Sequence, residues 1–285
     1  MRPSARPTAL ATGLLLLATP LSLLFGEPLT DRQAPTDPTG WDLVWSDEFD
    51  QPGAPDPEKW DYDVGGHGWG NAELQFYTKD RRENARVENG HLVIEARREE
   101  WEGNEYTSAR LVTRGRESWL HGRFEIRARL PEGRGTWPAI WMLPDDWNLG
   151  SGQWPDVGEI DIMEHVGYDP GVIHATVHSR KFFYKWNENS PKTSMIEIPD
   201  ANSEFHTYAV EWTADELRAY VDDTLYFTYT NPGEGWESWP YTRPFHLLLN
   251  VAVGGHWGAQ KGVDEEAFPL RMEIDFVRVY QQVGK

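Results

Sequence analysis

The chain of 285 residues contains no cysteine. Disulfides, thiolate metal sites and a cysteine nucleophile are therefore excluded. A long apolar run is also missing. The one candidate, Leu10 to Phe25, is interrupted by Pro20 and is short for a membrane span. Preceded by Arg2 and Arg6, it predicts an export signal over residues 1–26 and a secreted protein with no stable membrane association after processing. No clean A-x-A cleavage site follows, so an uncleaved N-terminal anchor is the alternative. Positive charge is in short supply: the 27 Lys and Arg are scattered, and the formal net charge is −19. A field of that sign repels phosphate backbones, which argues against nucleic acid, anionic membranes and strongly sulfated polysaccharides as partners. Internal repeats are absent, and so is any helical apolar stripe sustained for three turns.

Period-two alternation fills the chain instead. Residues 27–40 are rich in Pro, Thr and Asp and read as a linker, leaving one domain over residues 41–285. Within it, Phe124, Ile126, Ala128 and Leu130 alternate with Glu125, Arg127 and Arg129, as on a strand with one wet face. His91 to Ala96, Phe205 to Trp212, Ala219 to Val221, Leu225 to Tyr229, Phe245 to Val253 and Met272 to Tyr280 are further strands. Asn89-Gly90 and Asp222-Asp223 stand where hairpin turns belong. Many strands with closely spaced turns predict an all-β antiparallel sandwich. The chain is also rich in Trp, with 15. About half should be core; the others suit a surface that meets the flat C–H face of a sugar ring.

The most informative segment is Gly158 to His165, GEIDIMEH. Glu159 and Asp161 are two apart and share one face of a strand, with Ile160 and Ile162 on the other. Strict alternation would turn Glu164 into the core, where an unpaired charge is costly. One extra residue, a β-bulge at Ile162-Met163, restores Glu164 to the acidic face. Three acids in a row repel one another, so a purely structural role gains nothing from them. A Ca²⁺ site or a solvated polar face are the bland readings, although Ca²⁺ clusters favour loops. Retaining glycoside hydrolysis needs this row: one carboxylate attacks the anomeric carbon and a protonated one serves the leaving oxygen, about 5–5.5 Å apart. Their Cα atoms would stand about 13 Å apart on a flat strand, so the sheet must curve for the side chains to converge. Asp161 between them can orient Glu159 and, by its charge, raise the pKa of Glu164.

Glu-x-Asp-x-x-Glu on a strand resembles glycoside hydrolase family 16, in its bulged, laminarinase-containing branch. WSDEFD (45–50), NAELQFY (71–77), GRFEIRARL (122–130), GTWPAIWML (135–143), NVAVGG (250–255) and IDFVRVY (274–280) resemble the family's other segments in order. The resemblance implies a jelly-roll sandwich with a concave cleft, and retaining endo-cleavage of β-1,3-glucan. Glu159 is then the nucleophile, Glu164 the acid/base and Asp161 their helper, with no catalytic cofactor. Trp137, Trp141, Trp154 and Trp257 match cleft aromatics; Asn71, Glu73 and Arg110 match polar positions near its floor. His178 matches a strand facing the catalytic one, as a sugar ligand or a satisfied core histidine. A structural Ca²⁺ is implied at Glu48, the Gly90 carbonyl and Asp275. Two positions depart from the family: His256 stands where laminarinases often have Asn, and His165 where an aromatic is more usual. The bulge should turn His165 away from the cleft. The competing functions are a lectin-like glycan-binding module and an enzyme of the same class acting on mixed-linkage glucan or a galactan. Nothing suggests more than a monomer.

Overall fold

The computed structural model describes residues 40–183 and 191–282, together with Met1, Pro38 and Gly284. The predicted signal and nearly all of the predicted linker lie outside the described residues. Among the described residues seventeen strands follow one another: β1 (Trp41–Asp47), β2 (Asp61–Tyr62), β3 (Gln75–Tyr77), β4 (Ala85–Glu88), β5 (His91–Trp101) and β6 (Asn104–Ser108). Next come β7 (Arg110–Val112), β8 (Gly122–Arg129), β9 (Thr136–Pro144), β10 (Glu159–Glu164), β11 (Val172–His178) and β12 (Lys192–Glu197). The last are β13 (His206–Trp212), β14 (Glu216–Val221), β15 (Thr224–Thr230), β16 (Phe245–Val253) and β17 (Leu270–Gln282). Among the described residues, helix is confined to single turns at Gly255–Gly258 and Glu265–Ala267.

Two sheets stack as a jelly-roll sandwich. One has seven strands in the order β12-β11-β10-β9-β16-β7-β2. The other has ten, along β15-β14-β13-β8-β17-β5-β6-β3, with β1 on β17 and β4 on β5. Nearly all pairings are antiparallel; β3 with β6 is the parallel exception. Between the sheets lies one apolar core, including Phe124, Ile126, Ile160, Leu247 and Val277. β8 keeps the alternation read from its sequence, with Phe124, Ile126 and Ala128 buried and their neighbours half-buried. β16 sits centrally and is buried at all nine positions, which fits a largely apolar run broken only by His246 and Asn250.

The expected hairpins form. Asn89 and Gly90 both take positive φ, at 53° and 77°, between β4 and β5. That is the backbone a two-residue type I′ turn requires, and Asn-Gly supplies it at little steric cost. Asp222, with φ 51°, turns β14 into β15. β5, β15 and β17 run longer than the predicted segments, whereas Phe205 falls just outside β13. Of the Trp residues, Trp41, Trp60, Trp119, Trp212 and Trp239 are buried in the sandwich.

Candidate active site

β10 carries the acids on the outer face of the seven-stranded sheet. Its pairing with β9 matches Asp161 to Trp141 and Met163 to Ile140, so Ile162 is an extra residue. Opposite β11, Asp161 faces Thr176 and Glu164 faces His174, again with two residues against one. The bulge therefore stands at Ile162-Met163, as predicted. Ile160, Ile162 and Met163 enter the core, and Glu159, Asp161 and Glu164 all line a single cleft of about 980 Å³. Burying Met163 directly after the core-facing Ile162 is what allows Glu164 to emerge.

Every residue expected at the cleft lines it: Asn71, Glu73, Arg110, Trp137, Trp141, Trp154, His178 and Trp257 join the three acids. Trp137 donates from Nε1 to Glu164 Oε1 at 3.0 Å, and Trp257 packs edge-on against Trp137. Trp141 donates to Asn250 Oδ1 at 2.8 Å. Arg110 lies between two indoles, 4.6 Å from Trp141 and 4.8 Å from Trp69, and its Nε is 3.1 Å from Asp63 Oδ2. A guanidinium placed this way is drawn to both rings by cation–π attraction. Glu73 accepts from Asn71 Nδ2 (3.1 Å) and Gln75 Nε2 (2.6 Å), and burial raises its carboxyl above the usual range. The Asn71–Glu73 segment reaches the cleft because Glu73 bridges Gly254 and the His256 amide donates to the Asn71 carbonyl.

His178 belongs to the site. Its Nε2 is 3.2 Å from Asp161 Oδ2 and 3.7 Å from Glu159 Oε1, and its ring packs against Trp154. His165 points away, fully buried, with Nδ1 3.0 Å from the Val172 carbonyl. His256 is exposed on the single helical turn and lines the cleft. The sequence reading missed His67, Trp69, Tyr77, Trp147, His174 and Asn250, which also line it. The pattern NAELQFY had already marked the Tyr77 segment, and NVAVGG begins at Asn250.

Electrostatics set the acids apart from the surface carboxylates. Burial raises Glu159 and Asp161 well above the carboxylate range, and Glu164 above it. Burial is the main cause at Glu164, and Asp161 and Glu164 repel one another across the row. Repulsion by the neighbouring Asp161 carboxylate adds to the effect of burial at Glu159. Asp161 is only 3% exposed, whereas the Glu159 side chain is 16% exposed.

The expected Ca²⁺ ligands have a different setting. Glu48 follows β1 and accepts two bonds from Arg278, both 2.9 Å. Asp275 on β17 accepts from Arg127 at 2.7 Å and faces His91, next to Gly90. The donors are hard oxygens of the kind Ca²⁺ prefers, and a bound ion would share them with these guanidinium groups.

A family model described as glycosyl hydrolases family 16 matches residues 72–278. A β-glucanase of Rhodothermus marinus is 58% identical over 268 residues, spanning 92% of this chain and 93% of the relative. The X-ray structure of the laminarinase from Rhodothermus marinus superposes with TM-score 0.83 at 60% identity, covering 85% of this chain and 98% of that one. A variant of a non-specific endo-β-1,3(4)-glucanase, co-crystallised with 1,3-β-D-cellotriosyl-glucose, gives TM-score 0.82 at 46% identity, covering 87% and 97%. With its bulged row of acids in place and its similarity running nearly end to end, the chain belongs to glycosyl hydrolase family 16.

Proposed function

We propose that the protein is an endo-β-1,3-glucanase that cleaves laminarin-type glucans with retention and also cuts mixed-linkage β-1,3-1,4-glucan. The observation that carries this reading is the row Glu159, Asp161, Glu164 on one face of bulged β10, at the floor of a tryptophan-walled cleft. Relatives named as a β-glucanase, a laminarinase and an endo-β-1,3(4)-glucanase supply the substrate class.

Glu159, held by Asp161, attacks the anomeric carbon. The glycosidic bond breaks as the leaving oxygen takes the proton of Glu164, whose raised pKa keeps that proton available. Trp137 fixes one Glu164 oxygen and so orients the other. Glu164, now a carboxylate, deprotonates the water that hydrolyses the glycosyl ester on Glu159. The product keeps the β configuration.

The test is reducing-end release and product profiling on laminarin, barley mixed-linkage glucan, agarose and carrageenan. Fastest release from laminarin, as a ladder of short oligosaccharides, is expected. Activity confined to a galactan would overturn the substrate, and inactivity on all four would favour a glycan-binding module. Two further readings come from the sequence. The Arg2, Arg6 and Leu10 to Phe25 pattern supports export and secretion, which N-terminal sequencing of the mature protein tests. The hard-oxygen set at Glu48, Gly90 and Asp275 supports a structural Ca²⁺.

A further inference from the structure

The catalytic floor contains an arrangement that acid/base chemistry alone does not require. Glu159, Asp161 and His178 each present one ligand atom, and all three lie within 4.8 Å of one another. The two edges that end on His178 Nε2 measure 3.2 and 3.7 Å. A tetrahedral ion with bonds of about 2.0–2.1 Å holds its ligand atoms about 3.3 Å apart, so these edges already suit one. Asp161 is 3% exposed, and its Oδ2, directed at His178, makes no hydrogen bond. His178 Nδ1 is also buried without a hydrogen-bond partner, so the ring can carry its proton there and turn the Nε2 lone pair toward a cation held between the two carboxylates. Two carboxylates crowded at low exposure repel, and a divalent ion between them removes that repulsion. Imidazole in the set selects Zn²⁺ over Mg²⁺ and Ca²⁺, which prefer all-oxygen sites. All three residues line the cleft, so a fourth ligand would come from that side.

We infer that Glu159, Asp161 and His178 form a binding site for a zinc ion, and that zinc and glucan exclude each other from the cleft. The ion engages the lone pairs of Glu159 that attack the sugar, so the bound form is inactive. The zinc site rests on geometry alone; the inactivity rests on Glu159 being the nucleophile.

The experiment uses the full chain, stripped of metal by chelator and returned to Ca²⁺-containing buffer. ZnCl₂ is titrated calorimetrically while laminarin hydrolysis is followed in parallel. One zinc per chain is expected, with hydrolysis lost as the site fills and affinity falling when laminaritriose saturates the cleft. Mg²⁺ at equal concentration does neither. His178→Gln and Asp161→Asn should each weaken zinc binding by at least the roughly 10–100-fold that loss of an outer-shell partner costs. Anomalous scattering at the zinc edge locates the ion among the three residues. No binding, or binding unchanged in both variants, overturns the site. Zinc seated there with hydrolysis undiminished keeps the site and removes Glu159 as the nucleophile.

Discussion

At the scale of the residue, the three acids differ in what their removal should do. Glu159→Ala is expected to abolish turnover yet still bind oligosaccharide, and azide should restore turnover with release of an α-glycosyl azide. Ordinary activity in that variant would end the assignment. Glu164→Gln removes the proton donor, which is worth about 10²–10⁴-fold, and should harm poor leaving groups most. A series of aryl glycosides of graded leaving ability reads this directly. Asp161 carries a stability consequence as well. Its pKa is raised in the folded protein, so its contribution is present at low pH and is lost as pH climbs through the folded value. The acid therefore costs stability at neutral pH. Asp161→Asn should lower kcat yet raise the melting temperature at pH 7, with the gain vanishing below the ordinary carboxylate pKa of about 4. A melting temperature that falls at pH 7 would show that Asp161 holds the site together rather than straining it. The acids and the four expected tryptophans were legible because carboxylates and indoles are chemically loud. Trp69 and Asn250 were not singled out, because what recruits them is the other end of a contact. Arg110 stacks Trp69, and Trp141 bonds Asn250, across separations that a linear pattern does not display.

At the scale of the element, the bulge in β10 does the positioning. It was readable because strict alternation would have placed a carboxylate in the core, a cost that the chain avoids with one added residue. Met163 occupies the space thereby created and is fully buried. Met163→Ala should cost about 2–5 kcal/mol in unfolding free energy. It should also lower kcat more than it raises KM, since Glu164 is the adjacent residue. Chemical denaturation and steady-state kinetics on one preparation separate the two effects. A loss of stability with kcat unchanged would mean that the bulge is held by β9 and β11 alone. Strands with one wet face, such as β8, could be read from period two. β9 and β11 could not, because both faces are used and their patterns carry no clean alternation. Short strands such as β2 and β7 exist through pairing with β16 and with each other, which only the assembled sheet supplies.

At the scale of the whole molecule, the two ends of the folded domain meet. β1 pairs with β17 along its length, from Trp41 opposite Gln282 to Asp47 opposite Val277. Glu48 and Asp275 stand at this junction, and Gly90 adjoins it through the β4–β5 turn. A Ca²⁺ bound here would tie the first and last strands together, so its effect belongs to global unfolding rather than to the cleft. An ion present at about 100 times its Kd stabilises by about 2.7 kcal/mol. EDTA should therefore lower the melting temperature of the full chain, and added Ca²⁺ should restore it, with kcat on laminarin unchanged at temperatures well below the transition. Glu48→Gln should abolish the calcium response. It also frees Arg278 from its bidentate partner, so its melting temperature in EDTA must be compared with that of the wild type in EDTA. A wild-type melting temperature indifferent to EDTA would mean that Arg278 and Arg127 neutralise these carboxylates unaided, and that the strand ends are joined by ion pairs within the chain.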